Sequence, residues 1–239
     1  MIFILGGYYS YYDNNSFVNQ FDVNQFDIST QQWKWITIES GVPKYRQDIS
    51  CAKFSSGLIA IFSGLSGDGI NDLWIFDTLA LSWSLSHAVN APPQRFGYCA
   101  ITLPDENILY IGGASGVYSS NISSYQYISM NILPLYNTKS HMWTNMSISG
   151  QIPPTRTFFS AILTPDRRII IFGGCTKGGG PLGDLGGPLG DLWILDTVVF
   201  QWSIGNISNS IEGLLLCGHT AALVEIYMIV AFGIILCLS

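Results

Sequence analysis

An all-β chain of repeated four-stranded sheets is what this sequence predicts, and three recurring patterns predict it. An apolar run that stops at glycine occurs five times, as MIFILGG (1–7), LIAIFSG (58–64), ILYIGG (108–113), RRIIIFGG (167–174) and YMIVAFG (227–233). An Asp or Asn stands six residues before a tryptophan four times: Asp27 and Trp33, Asp77 and Trp83, Asn137 and Trp143, Asp196 and Trp202. A proline turn closed by arginine comes three times, in PKYR ending at Arg46, PPQR at Arg95 and PPTR at Arg156. The tryptophans recur 50, 60 and 59 residues apart, the spacing of an array in which each repeat is one supersecondary unit.

Each pattern has a place in that unit. The first strand follows the arginine, in FGYCAI, TFFSAI and the late GHTAAL (218–223). The second is the apolar run, expected to be covered on both faces, with its glycines allowing a positive φ exit where backbone comes close. The third ends at the Asp or Asn, whose side chain caps the following turn. The fourth carries the tryptophan, a large apolar body to set between neighbouring sheets. Such a small sheet cannot bury both faces alone, so the units stack around an axis and cover one another. A composition of 48% hydrophobic, 13% aromatic and 11% charged residues supplies the core this requires.

The diglycine after an apolar strand, the Asp or Asn before Trp, and the P-x-x-R or P-P-x-R turn together resemble the kelch repeat, over nearly the whole chain. The resemblance implies a single kelch-type β-propeller domain over residues 1–239, related to the central domain of galactose oxidase. The phasing gives three whole blades, at about 39–86, 87–147 and 148–207, with partial blades at about 1–38 and 208–239. An open arc of a larger propeller is expected rather than a closed ring of four, because Met1 begins at a second strand and YMIVAFG would be redundant in a closed ring. The second unit departs from the pattern with Ser63-Gly64, the last with Gly233-Ile234, and no P-x-x-R precedes GHTAAL. The perfect tandem GGPLGDL-GGPLGDL (179–192) reads as a duplication absorbed by a loop. It lacks the G-x-x-x-x-G-K-[ST] pattern of a phosphate cradle.

A net charge of −6 with ten scattered Lys and Arg gives no basic stripe, which argues against a nucleic-acid partner. Cys51, Cys99, Cys175, Cys217 and Cys237 are odd in number and match no zinc spacing, so neither a full disulfide framework nor a metal site is signalled. Sequons at Asn14, Asn121, Asn145 and Asn206 suit a secreted or cell-surface chain better than a cytoplasmic one. MIFIL, five apolar residues followed by glycines, has no basic region before it and no small-residue cleavage pattern after it, so it is not expected to be a signal peptide. The apolar segment 226–238 is too short to span a membrane and is expected to be a buried strand pair, so membrane association would come only through a longer parent chain.

The relation to galactose oxidase raises a copper-radical enzyme as an alternative, which would need imidazole and phenolate ligands converging on one metal. The phasing scatters His87, His141 and His219, so no metal or other cofactor and no enzymatic activity are expected. His219 reads as a hydrogen-bonded core residue, and Cys51 and Cys99 as small buried hydrophobes. Asp27, Asp77 and Asp196 obey the repeat and read as turn caps, whereas an active site would break it. The expected function is a non-catalytic scaffold that binds a protein or peptide through loops on one propeller face; the ectodomain of a membrane-anchored protein is a further alternative. Strand alternation places the turns between strands two and three on the same face as the turns between blades. Tyr8, Tyr9, Tyr11, Tyr12, Tyr118, Arg46, Arg95 and Arg156 are the candidate binding residues there, with an acidic peptide as a candidate ligand. The competing assignment for the three arginines is that they tie blades together through carbonyls.

Overall fold

The computed structural model describes residues 1–6, 10–13, 16–19, 21–38, 40–66, 69–116, 125–176, 187–206 and 214–235. Among these every regular element is a strand. The first blade holds Ile2–Leu5, Val23–Asp27 and Gln32–Trp35, paired in that order, and the hairpin Ser10–Asp13/Ser16–Asn19 projects between its first two strands. The second blade runs Cys51–Lys53, Leu58–Phe62, Leu73–Asp77 and Ser82–Ser86 as a four-stranded antiparallel meander. The third repeats it with Cys99–Thr102, Ile108–Ile111, Ile132–Asn137 and Met142–Ser147. The fourth does so with Ser160–Leu163, Arg168–Phe172, Leu192–Asp196 and Gln201–Ile204, and the short strand Ser149–Gly150 runs parallel to its outer edge. A terminal hairpin, Thr220–Val224 with Tyr227–Ala231, provides the first two strands of a fifth unit. It keeps its own second strand and does not pair with Ile2–Leu5.

The core lies between blades. Phe3 and Leu5 of the first blade meet Phe76 and Trp83 of the second. Ala52 and Phe62 of the second meet Tyr98, Tyr110, Tyr136 and Trp143 of the third, with Phe62 and Trp143 ring centres 4.7 Å apart. Leu109 and Ile111 of the third meet Phe159, Ile171 and Trp202 of the fourth. Trp83, Trp143 and Trp202 therefore each pack against the blade before them. Among the described residues no blade covers Trp33, which is 57% exposed, whereas Trp202 is 1% exposed. The expected turn caps are present: Asp77 Oδ1 accepts from the N–H of Leu79 and Ala80, Asp196 Oδ1 from Val198 and Val199, and Asn137 Oδ1 from Lys139 and Ser140.

The glycine exits have a steric cause. Gly173 has φ 61°, and a Cβ there would lie 2.7 Å from the Leu216 carbonyl oxygen of the next unit. Gly174 has φ 98°, and a Cβ would lie 2.7 Å from the Thr157 carbonyl oxygen. Ser63 takes the first position in the second blade at φ 57° and uses its hydroxyl, accepting from Arg95 N–H and donating to the Ile70 carbonyl.

Two expectations need correction. The segment 226–238 does form strands as far as it is described, but it is not buried: Ile226, Tyr227 and Ile229 are exposed, because among the described residues no third strand or further blade covers that face. Cys51 is exposed, whereas Cys99 is half-buried, packed against the core between the third and fourth blades with its thiol donating to the Phe159 carbonyl at 3.2 Å.

Cys175 and Cys217 form a disulfide across 42 residues, with Cα atoms 5.6 Å apart. It joins the fourth blade to the terminal hairpin where Leu65 and Phe96, at the equivalent positions, make an apolar contact. Replacing both cysteines by alanine is expected to lower stability by about 2–4 kcal/mol, as for a loop of this length. Urea titration of the oxidised chain against the double variant measures it.

Candidate functional site

The turns between blades are organised by the arginine of each P-x-x-R. Proline presets φ in the turn, and the arginine side chain folds back into the blade. Arg46 donates Nε–H to the Lys44 carbonyl at 3.0 Å and Nη1 to the Ser63 carbonyl at 3.1 Å, and forms a two-pronged pair with Asp72. Arg156 repeats this with Pro154 at 3.2 Å, Gly173 at 2.9 Å, and the two carboxylate oxygens of Asp191 at 2.8 and 2.9 Å. Each aspartate also accepts an indole N–H, from Trp74 at 2.7 Å and from Trp193 at 2.6 Å. Burial pushes the Asp72 and Asp191 carboxyls up, but the arginine hydrogen bonds and charge, helped by the indole, outweigh it and hold both below the ordinary carboxylate value. The clamp binds three segments at one end of the blade: the interblade turn, the exit of strand two and the start of strand three.

Arg46, Arg95 and Arg156 are 0, 3 and 0% exposed. All three guanidinium groups lie inside the blades, so the candidate binding residues Arg46, Arg95 and Arg156 form no exposed rim. Tyr11 and Tyr12 lie on the hairpin strand Ser10–Asp13, opposite Val18 and Phe17, at the same end as the turns between strands two and three. Tyr8, Tyr9 and Tyr118 lie outside the described residues, as do Asn14 and Asn121 and the greater part of the tandem duplication. Asn145 and Asn206 are exposed.

At the same end, the starts of four first strands surround an axial cavity of about 300 Å³, lined by Asp48, Ser50, Cys99, Phe158, Phe159 and His219 among others. Its rim is a backbone chain from blade to blade. Gly97 N–H donates to Asp48 C=O at 2.9 Å, Phe158 N–H to Gly97 C=O at 2.8 Å, and Gly218 N–H to Phe158 C=O at 2.8 Å. The position has a left-handed backbone in each of the four units that have it, with φ 56° at Asp48, 60° at Gly97, 54° at Phe158 and 68° at Gly218. Two non-glycine residues thus hold a conformation that costs about 1 kcal/mol or more each, and the interblade bonds offset it. Burial raises the Asp48 carboxyl and lowers the His219 imidazole at this cavity.

His219 is buried and its Nε2 lies 2.9 Å from Ser160 Oγ, while its Nδ1 has no hydrogen-bond partner among the described residues. His141 Nδ1 bonds the Tyr136 hydroxyl at 2.8 Å near an outer strand, and His87 is exposed in an interblade turn. The three histidines do not converge, and among the described residues no group of three His, Cys, Asp or Glu could hold a metal ion. No described helix is long and apolar enough to cross a membrane.

Asp48, Phe158 and the two clamp aspartates are site-end residues that sequence reasoning passed over. A signal was present for the two aspartates alone: Asp72 and Asp191 both occur in D-L-W, five residues before the turn-capping Asp77 and Asp196.

Comparison with known proteins agrees with this architecture. The Dynein alpha chain, flagellar outer arm, of Chlamydomonas reinhardtii is 32% identical over 148 residues, which is 60% of this chain and 3% of that protein. An F-box/kelch-repeat protein of Arabidopsis thaliana is 27% identical over 172 residues, 68% of this chain and 33% of that protein. Leucine-zipper-like transcriptional regulator 1 of Homo sapiens is 23% identical over 180 residues, 71% of this chain and 20% of that protein. The chain thus spans a third or less of the length of these relatives. Among solved structures, that of YjhT superposes with a TM-score of 0.66 at 15% identity, covering 88% of this chain and 66% of that one. The KLHDC2/KLHL20/DRC7 Kelch-repeats domain model matches residues 1–174, and with the phased repeats and the blades they build, this chain belongs to the kelch-repeat family.

Proposed function

We propose that this chain is a non-catalytic scaffold that binds a protein partner through the loops gathered at the interblade end of the blades. The observation that carries this reading is the arginine clamp. Arg46 and Arg156 fix the interblade turns to the exits of strand two and the starts of strand three, so the segments between are displayed from a rigid base, as binding loops on β scaffolds are. Kelch-repeat relatives support a general binding role. The tyrosines of the first blade break the repeat and are therefore the residues assigned to contact, together with Tyr118.

The test compares two variants by quantitative affinity capture from the source organism. One changes Tyr8, Tyr9, Tyr11, Tyr12 and Tyr118 to serine. The other changes Leu79 and Val198, exposed on the turn-cap end, to serine. Loss of the same partners from the first variant alone is the expected result; equal recovery from both places the binding surface elsewhere.

A further inference from the structure

The third blade carries half a clamp. Five residues before the turn caps Asp77 and Asp196 stand Asp72 and Asp191, but five before Asn137 stands Ile132. Three before the caps stand Trp74 and Trp193, whereas three before Asn137 stands Pro134. The carboxylate and the indole that fixes it are both missing, yet Arg95 remains. Its side chain is 3% exposed, and neither Nε nor Nη1 has a hydrogen-bond partner among the described residues. The Tyr110 hydroxyl, fully buried in the same interface between the second and third blades, is also without a partner among them. Tyr98 is already engaged, donating to the Phe62 carbonyl. Residues 113–131, which join strands two and three of this blade, contain no Asp or Glu.

Burial lowers the Arg95 guanidinium to about 10, so it keeps its charge at neutral pH. A buried cation without a counter-ion is costly. In the flanking copies the same guanidinium position is neutralised by a planar two-oxygen group that the fork accepts bidentately. The position of the missing carboxylate is open to water, for Ile132 is 48% exposed. We propose that Arg95, with the Tyr110 hydroxyl, forms a binding site for a carboxylate between the second and third blades, supplied from outside the chain in place of the lost aspartate. The site is separate from the loop surface assigned above and does not depend on it.

Thermal unfolding of the full chain tests it, with sodium acetate against sodium chloride at equal ionic strength. Acetate at about ten times its dissociation constant is expected to raise the midpoint by roughly 4 °C over chloride. Arg95→Met removes the charge and should abolish that difference. Ile132→Asp restores the carboxylate within the chain; it should raise the midpoint in chloride and abolish the acetate effect, and it keeps the test decisive if Arg95→Met does not fold. An acetylated, amidated Gly-Asp-Gly peptide distinguishes the source: a shift at lower concentration than acetate identifies a peptide side chain, and a shift with acetate alone identifies a free small acid. Equal midpoints in acetate and chloride, or an acetate shift that persists in Ile132→Asp, overturns the proposal.

Discussion

Trp202→Ala is expected to lower the unfolding free energy by about 4 kcal/mol, within the range for a large aromatic removed from a packed core. The indole is 1% exposed and belongs to the fourth blade, yet its N–H donates at 2.9 Å to the carbonyl of Met130, 72 residues earlier in the third. Alanine would open a cavity between Leu109, Ile111, Phe159 and Ile171 and leave that carbonyl unsatisfied. Trp33→Ala is the internal control. It removes the same side chain at the same repeat position, but from a face that no blade covers, so its effect should stay below about 1 kcal/mol. Urea titrations of the two variants should differ mainly in midpoint, with similar slopes. Equal losses would mean that burial between blades is not what makes this position matter.

That contrast marks where the sequence was informative. Repetition exposed whatever every blade needs: glycine at the strand exit, Asp or Asn at the cap, tryptophan on the outer strand. It could not show how exposed each copy is, because exposure depends on which neighbour is present, and Trp33 and Trp202 read alike. The axial rim was hidden for a related reason. Gly97 and Gly218 hint at a left-handed backbone, but Asp48 and Phe158 hold the same conformation without glycine, and only the blade-to-blade hydrogen bonds explain why. Among five cysteines, spacing does not fix a partner. Cys175 and Cys217 meet because strand exit and next-blade entry are adjacent in a propeller. The arginines were legible as a motif but ambiguous in role, and the deciding residues, Asp72 and Asp191, stand 26 and 35 residues further along the chain.

Arg156→Met is the second large effect expected, a loss of about 3 kcal/mol at neutral pH. Breaking a buried ion pair costs roughly 3–5 kcal/mol, and the low end applies because the Asp191 side chain is 37% exposed and water can partly solvate it once it is orphaned. The carbonyls of Pro154 and Gly173 lose their donor as well. Adding Asp191→Leu should recover part of the loss, since the pair is then removed whole. The dependence on pH separates lost charge pairing from lost packing. In the native chain the Asp191 carboxyl is held below its ordinary value of 3.8, so its contribution is present above that pH and is lost as pH falls through the depressed value. In Arg156→Met, burial, which raises the carboxyl, remains beside the Trp193 and backbone hydrogen bonds, which lower it; as the acid is protonated the orphaned charge disappears. The stability gap between the two chains should therefore be widest near neutrality and narrow below about pH 4. A gap that stays constant from pH 7 to pH 3 would assign the loss to packing of the arginine stem and its carbonyl bonds, and the clamp would then owe little to its charges.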